Sequence, residues 1–179
     1  MNWPDKEKRQ TYEINEFIKA YKKFSHGRQF TIKESGRERP DFILEDTKTG
    51  ECFGVELTSV YLSERSVPDA HIKNEASEEI LEIPYCEKTI EEYKKRLFQS
   101  IVEKVKKARK GYDITYPLIL SIYVNEYISI YIHDKECWDS FTKEQGNFWD
   151  SIAPFTEVVF WSLPNGGVFS IKAKQQGKG

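Results

Sequence analysis

A chain of 179 residues with 39% apolar and 14% aromatic residues has the material for one buried core, which excludes a disordered tract and removes any need for disulfide or metal staples. Its 27 Lys and Arg against 29 Asp and Glu give a formal net charge of −2, which excludes a strongly basic nucleic-acid coat but allows an enzyme with segregated charge. Cys52, Cys86 and Cys137 are too few and too widely spaced for a stapled scaffold or a zinc knuckle, and read as reduced thiols.

The opening MNWPDKEKRQ lacks the apolar centre of a signal peptide, and no stretch approaches the roughly 18 apolar residues that span a bilayer. A soluble, cytoplasmic protein with no membrane partner is the expectation. Ile14, Phe17, Ile18, Tyr21 and Phe24 then recur at helical spacing, with Ser25, His26 and Gly27 as a stop. After this first helix, QFTIKE, DFILED and ECFGVELTSVY read as three strands separated by GRERP and DTKTG. A polar insertion at about 62–90 follows, broken by Pro68 and Pro84, with a short helix predicted around Ile72 to Leu81.

Tyr93, Leu97, Ile101, Val105 and Ala108 mark one face of a long helix, ended by Gly111. PLILSIYV and YISIYIH predict two more strands, DKECWDSFTKEQGNFWDSI a short helix with loops, and EVVFWSL with VFSIKA a closing pair around PNGG. The pattern is α/β in a single domain over 1–179, a central mixed β-sheet flanked by helices and extended by C-terminal strand additions. The QQGKG tail is compositionally loose, and the four tryptophans, Trp3, Trp138, Trp149 and Trp161, are expected in an aromatic-rich core.

Two short segments carry the chemistry, Arg39-Pro40-Asp41-Phe42 and Val55-Glu56-Leu57-Thr58. An antiparallel hairpin turning at Lys48 and Thr49 sets Asp41 directly opposite Glu56. Two carboxylates at that distance repel, and a shared divalent cation neutralises them while orienting water against a phosphodiester. Gly54, beside Glu56, allows close approach of backbone or substrate. Read without that chemistry, Asp41 is a strand-edge residue and Glu56 a solvated partner of a nearby Lys or Arg.

These segments resemble the PD-(D/E)xK nuclease superfamily, whose restriction-endonuclease-like core places a helix and three strands before a second helix and fourth strand. The resemblance covers about Thr11 to Val124: Pro40-Asp41 matches the PD, and Glu56-Leu57-Thr58 matches the (D/E)xK tripeptide with Thr58 where the lysine usually stands. It implies Mg²⁺ or Mn²⁺ held by Asp41 and Glu56, with the Leu57 carbonyl as a further ligand. Glu13 of the first helix, with Glu16 close behind, would complete the site. The family sometimes moves its lysine to another element, which makes Lys104 on the long helix or Lys33 on the first strand the replacement.

Between Glu91 and Lys110, eight Lys or Arg residues face three Glu, a local balance of +5, and Lys94, Lys104 and Lys107 are the candidate phosphate contacts. The competing reading is a solvated face whose long side chains lie along the core. Glu75, Glu78, Glu79, Glu82, Glu87, Glu91 and Glu92 make an acidic section just before it. His26, His71 and His133 have no metal-ligand spacing, and the chain lacks a phosphate loop or a dinucleotide fingerprint. The expected function is a metal-dependent endonuclease hydrolysing DNA phosphodiester bonds. RNA is the alternative substrate, and a homodimer or a protein partner suits duplex cleavage. The other reading is a noncatalytic nucleic-acid-binding or protein-assembly module that keeps a nuclease-like fold.

Overall fold

Amphipathic spacing and turn residues build a three-layer α/β structure in the computed structural model, which describes residues 6–36, 38–60, 87–124, 135–162 and 167–173. The first helix, α1, runs Lys6–Phe24 and buries Ile14, Phe17, Ala20 and Tyr21. It stops where His26 (φ 58°) and Gly27 (φ 84°) turn left-handed, with the Gly27 amide bonding the Lys22 carbonyl at 2.9 Å. Strands β1 (Phe30–Glu34), β2 (Phe42–Asp46) and β3 (Cys52–Val60) follow, then α2 (Glu87–Ala108), β4 (Leu118–Val124), α3 (Lys135–Glu144), a 3₁₀ turn at Gly146–Ser151, β5 (Phe155–Trp161) and β6 (Val168–Lys172).

The strands form one six-stranded mixed sheet in chain order. β1, β2 and β3 are antiparallel neighbours, β4 and β5 join in parallel through α2 and α3, and β6 returns antiparallel on β5. Two crossovers advancing in the same direction and sharing one hand must lay their helices on the same face. The core reflects this. α1 packs with Phe42, Leu44, Val55, Leu57, Ile119, Tyr123 and Val159 on one face, while α2 and α3 pack with Leu118, Leu120, Ile122, Val158 and Phe160 on the other. β4 is covered on both sides and all seven of its residues are buried, which explains the unbroken apolar run LILSIYV. Trp138 stacks on Phe169 with ring centroids 5.3 Å apart and clamps α3 to β6.

Two buried acids hold this frame together. Asp46 accepts the Lys48 amide at 2.8 Å and the Arg28 Nε at 2.5 Å, organising the β2–β3 turn, and the Arg28 guanidinium holds its carboxyl below the usual range. Glu157 on β5 accepts the Tyr21 hydroxyl at 3.0 Å and that of Ser170, tying α1 to the β5–β6 pair. Burial and the adjacent carboxylate push the Tyr21 phenol up, so it stays a donor.

The three N-terminal strands, both long helices and the closing β5–β6 pair match the sequence expectation, and the short helix within 134–152 is α3 with its 3₁₀ turn. Trp138, Trp149 and Trp161 are buried. Phe24, the last residue of α1, is 39% exposed. The predicted YISIYIH strand, the 72–81 helix, most of the 62–90 insertion, Trp3, Cys86, His71, His133 and the QQGKG tail lie outside the described residues. No helix among the described residues is long and apolar enough to cross a membrane.

Candidate active site

The β2–β3 register pairs Phe42 with Val55 and Glu45 with Cys52, and one step further it sets Asp41 against Glu56. Asp41 precedes the first residue of β2, so its carboxylate replaces the missing strand, accepting the Leu57 amide at 2.9 Å. Its other oxygen accepts Gln10 Nε2 of α1, also at 2.9 Å. Gly54 makes this corner possible. A Cβ there would stand 2.6 Å from Leu118 Cδ2 and 2.7 Å from Pro40 Cγ, so the Pro40 ring lies in space that only glycine leaves. The close approach anticipated at Gly54 is therefore made by Pro40 and Leu118.

Alternation along β3 sends Val55 and Leu57 toward α1 and Glu56 and Val60 toward α2. On that second face, Lys104 reaches down from α2. Its Nζ lies 2.6 Å from Glu56 Oε1 and 3.2 Å from the Leu57 carbonyl. The Tyr112 hydroxyl donates to the same Glu56 oxygen at 2.6 Å, and burial together with that carboxylate raises the Tyr112 phenol, keeping it protonated. Glu56 is only 2% exposed. Its second oxygen, Oε2, is buried with no hydrogen-bond partner among the described residues, and the same holds for the Thr58 hydroxyl two residues on. An unsatisfied buried polar atom costs about 1–3 kcal/mol, so these two, on the same face of β3, are a local cost to stability.

Glu13 lies on the α1 side, buried, accepting the Ser59 hydroxyl at 2.5 Å. Burial raises its carboxyl, and the charge of Asp41 adds to that, while the Ser59 hydrogen bond, Arg9 and Lys104 oppose it. Asp41 is likewise raised, first by burial and then by the Glu56 charge, against the Leu57 amide, Lys104 and Lys6. Asp41 thus lies between two other acids, raising Glu13 and being raised by Glu56. Among the described residues, no three His, Cys, Asp or Glu side chains are gathered as a metal cage. The oxygen donors at hand are the orphaned Glu56 Oε2, Asp41 and the Leu57 carbonyl, the hard ligands that suit Mg²⁺ or Mn²⁺, and the Lys104 ammonium now supplies positive charge to two of these groups.

The other sequence candidates are placed as follows. Lys33 does not join the set: it pairs with Glu45 at 2.8 Å and donates to Cys52 at 3.3 Å, about 13 Å along the ladder from the Asp41–Glu56 end. Glu16 pairs with Lys19. Lys94 pairs with Glu91 at 3.1 Å, ten residues and about 15 Å before Lys104 on α2. Lys107 shares with Lys104, Thr58, Ser100 and Glu103 a pocket of about 220 Å³. The sequence reading missed Gln10, Tyr112 and Ser59. Tyr112 was visible only as the next i+4 position after Ala108, and Gln10 as the residue one turn before Glu13.

No protein-family model, curated protein or solved structure matches this chain.

Proposed function

We propose that the protein is a metal-dependent endonuclease with a restriction-endonuclease-like core, hydrolysing phosphodiester bonds of DNA at the Asp41–Glu56–Lys104 centre. The observation that carries this reading is the position of Lys104. A lysine from a different element meets Glu56 and the Leu57 carbonyl, beside an Asp41 bonded to the Leu57 amide, while Thr58 stands at the usual lysine position.

Asp41, Glu56 and the Leu57 carbonyl would hold Mg²⁺ or Mn²⁺, with Glu13 at the rim of the set. The ion would supply neutralisation of the two carboxylates, a polarised phosphoryl oxygen and a more acidic water. The side chains have their own parts. Tyr112 holds Glu56 Oε1 by a donor that remains protonated, which fixes the carboxylate orientation. Gln10 and the Leu57 amide fix Asp41. Lys104, anchored by the Leu57 carbonyl, brings a positive charge that opposes charge building on a phosphoryl group, the preorganised electrostatics through which enzymes gain most.

Cleavage of varied DNA substrates with Mg²⁺ or Mn²⁺ tests this. Asp41→Asn, Glu56→Gln and Lys104→Met should each lower kcat by at least about 10²-fold, in the range of losing one electrostatic contact to the transition state. Thr58→Lys in the Lys104→Met background should restore part of it, since both positions face one pocket. Activity indifferent to all three single substitutions sinks the reading. A noncatalytic nucleic-acid-binding or assembly module is the second reading, favoured by the saturation of Glu56 Oε1 by both Lys104 and Tyr112, as in a structural ion pair. Salt-sensitive DNA binding with no cleavage under either metal would select it.

A further inference from the structure

The pocket beside the centre has a composition of its own. Ser100, Lys104 and Lys107 lie on one face of α2 at i, i+4 and i+7, opposite Thr58 of β3. Its 220 Å³ is below the roughly 300 Å³ at which sites for drug-sized ligands begin, so it suits one small group. Most of its polar groups are already engaged. Lys104 is bonded to Glu56 and Leu57, Ser100 donates to the Arg96 carbonyl at 2.9 Å, and Glu103 accepts Gln99 Nε2 at 2.8 Å. Two donors are left. Among the described residues, the buried Thr58 hydroxyl has no partner and Lys107 makes no ion pair. A small pocket lined by two lysines against one glutamate, with one ammonium unpaired among the described residues and an unpartnered hydroxyl in its wall that a turn about the Thr58 χ1 would bring into it, describes a seat for an anion with several acceptor oxygens.

We propose that this pocket binds one backbone phosphate of a polynucleotide strand, next to the phosphate at the Asp41–Glu56 centre, with the Thr58 hydroxyl and the Lys107 ammonium as its donors. The proposal rests on the nuclease reading and extends it. Thr58 then has a positive role: at the position where the family's motif has lysine, a short donor leaves room for substrate while Lys104 brings the charge from α2.

The test is metal-free binding of fluorescent duplex and single-stranded DNA, over a range of salt, by the wild type, Thr58→Val, Thr58→Ser, Lys107→Met, Lys107→Arg and, as a control on the distant β2–β3 turn, Lys48→Met. Melting curves confirm that each variant is folded. Lys107→Met should lower the slope of log K against log salt by about 0.9 for duplex, the signature of one phosphate contact, with Lys107→Arg and Lys48→Met unchanged. Thr58→Val should weaken binding about 3–10-fold at constant slope, and Thr58→Ser should recover it. Equal binding by all variants overturns the proposal, even where cleavage still depends on Asp41 and Glu56. Binding of inorganic phosphate through Thr58 and Lys107, with no DNA binding, overturns it as well. Thr58- and Lys107-dependent DNA binding without cleavage upholds the pocket and instead removes the nuclease reading.

Discussion

Asp41 holds a charge in a place that disfavours it: burial and the Glu56 carboxylate both raise its proton affinity, and the Leu57 amide and Lys104 only partly compensate. Between the ordinary carboxyl value and the raised one, the folded chain binds more protons than the unfolded chain, so this residue's contribution to stability falls as pH rises through that window. Above that window the whole penalty is present. Asp41→Asn should therefore raise Tm at neutral pH, by about 2–4 °C for each kcal/mol relieved, with the gain shrinking as pH drops toward the ordinary carboxyl range. The new amide still accepts the Leu57 amide, and Gln10 turns its carbonyl toward the added NH₂. Wild-type Asp46 runs the opposite way, its lowered carboxyl losing its contribution as pH falls, so the comparison must be made between variants at each pH. Calorimetry across pH 4 to 8 checks this, and an unchanged Tm at neutral pH would contradict it. The acidic pair was legible because a turn and an alternation determine it. The choice of Lys104 over Lys33 was not legible, since it depends on the face to which each side chain is turned, and the buried unpaired Thr58 hydroxyl appears only once α2 is packed over β3.

At the scale of elements, the hairpin and its neighbours set the site through close contact. β2 begins at Phe42, Pro40 folds over Gly54, and Leu118 of β4 closes the other side. Gly54→Ala should cost about 1–3 kcal/mol through overpacking, and should also displace Pro40 and hence Asp41. Urea denaturation measures the first effect and metal-dependent cleavage the second; a fully stable, fully active variant would refute this account of the corner. The β2–β3 register was readable from DTKTG and the apolar alternation, because a slip of one residue would turn Leu44 and Val55 out of the α1-side core. Buried Glu157 was not readable. Its partners Tyr21 and Ser170 lie on elements that meet only in the finished sheet, and in EVVFWSL it looks like an ordinary strand-start acid.

For the whole molecule, burial is concentrated at the middle of the sheet and thins toward β1, whose last four residues are exposed. Amides of β4 should exchange with solvent only through global unfolding, while Thr31 to Glu34 exchange by local opening, orders of magnitude sooner. Hydrogen exchange followed by mass spectrometry reads this directly, and comparable protection of β1 and β4 would argue against a centrally held sheet. Every described side chain of the charged centre lies between Gln10 and Tyr112, although the sheet continues through β5 and β6. The chain thus divides its labour along its length. Its first part carries the Asp41–Glu56–Lys104 cluster, and its last part braces that cluster from further along the sheet, so sequence change near β6 can retune rigidity or outer contacts while leaving the cluster's own hydrogen bonds untouched.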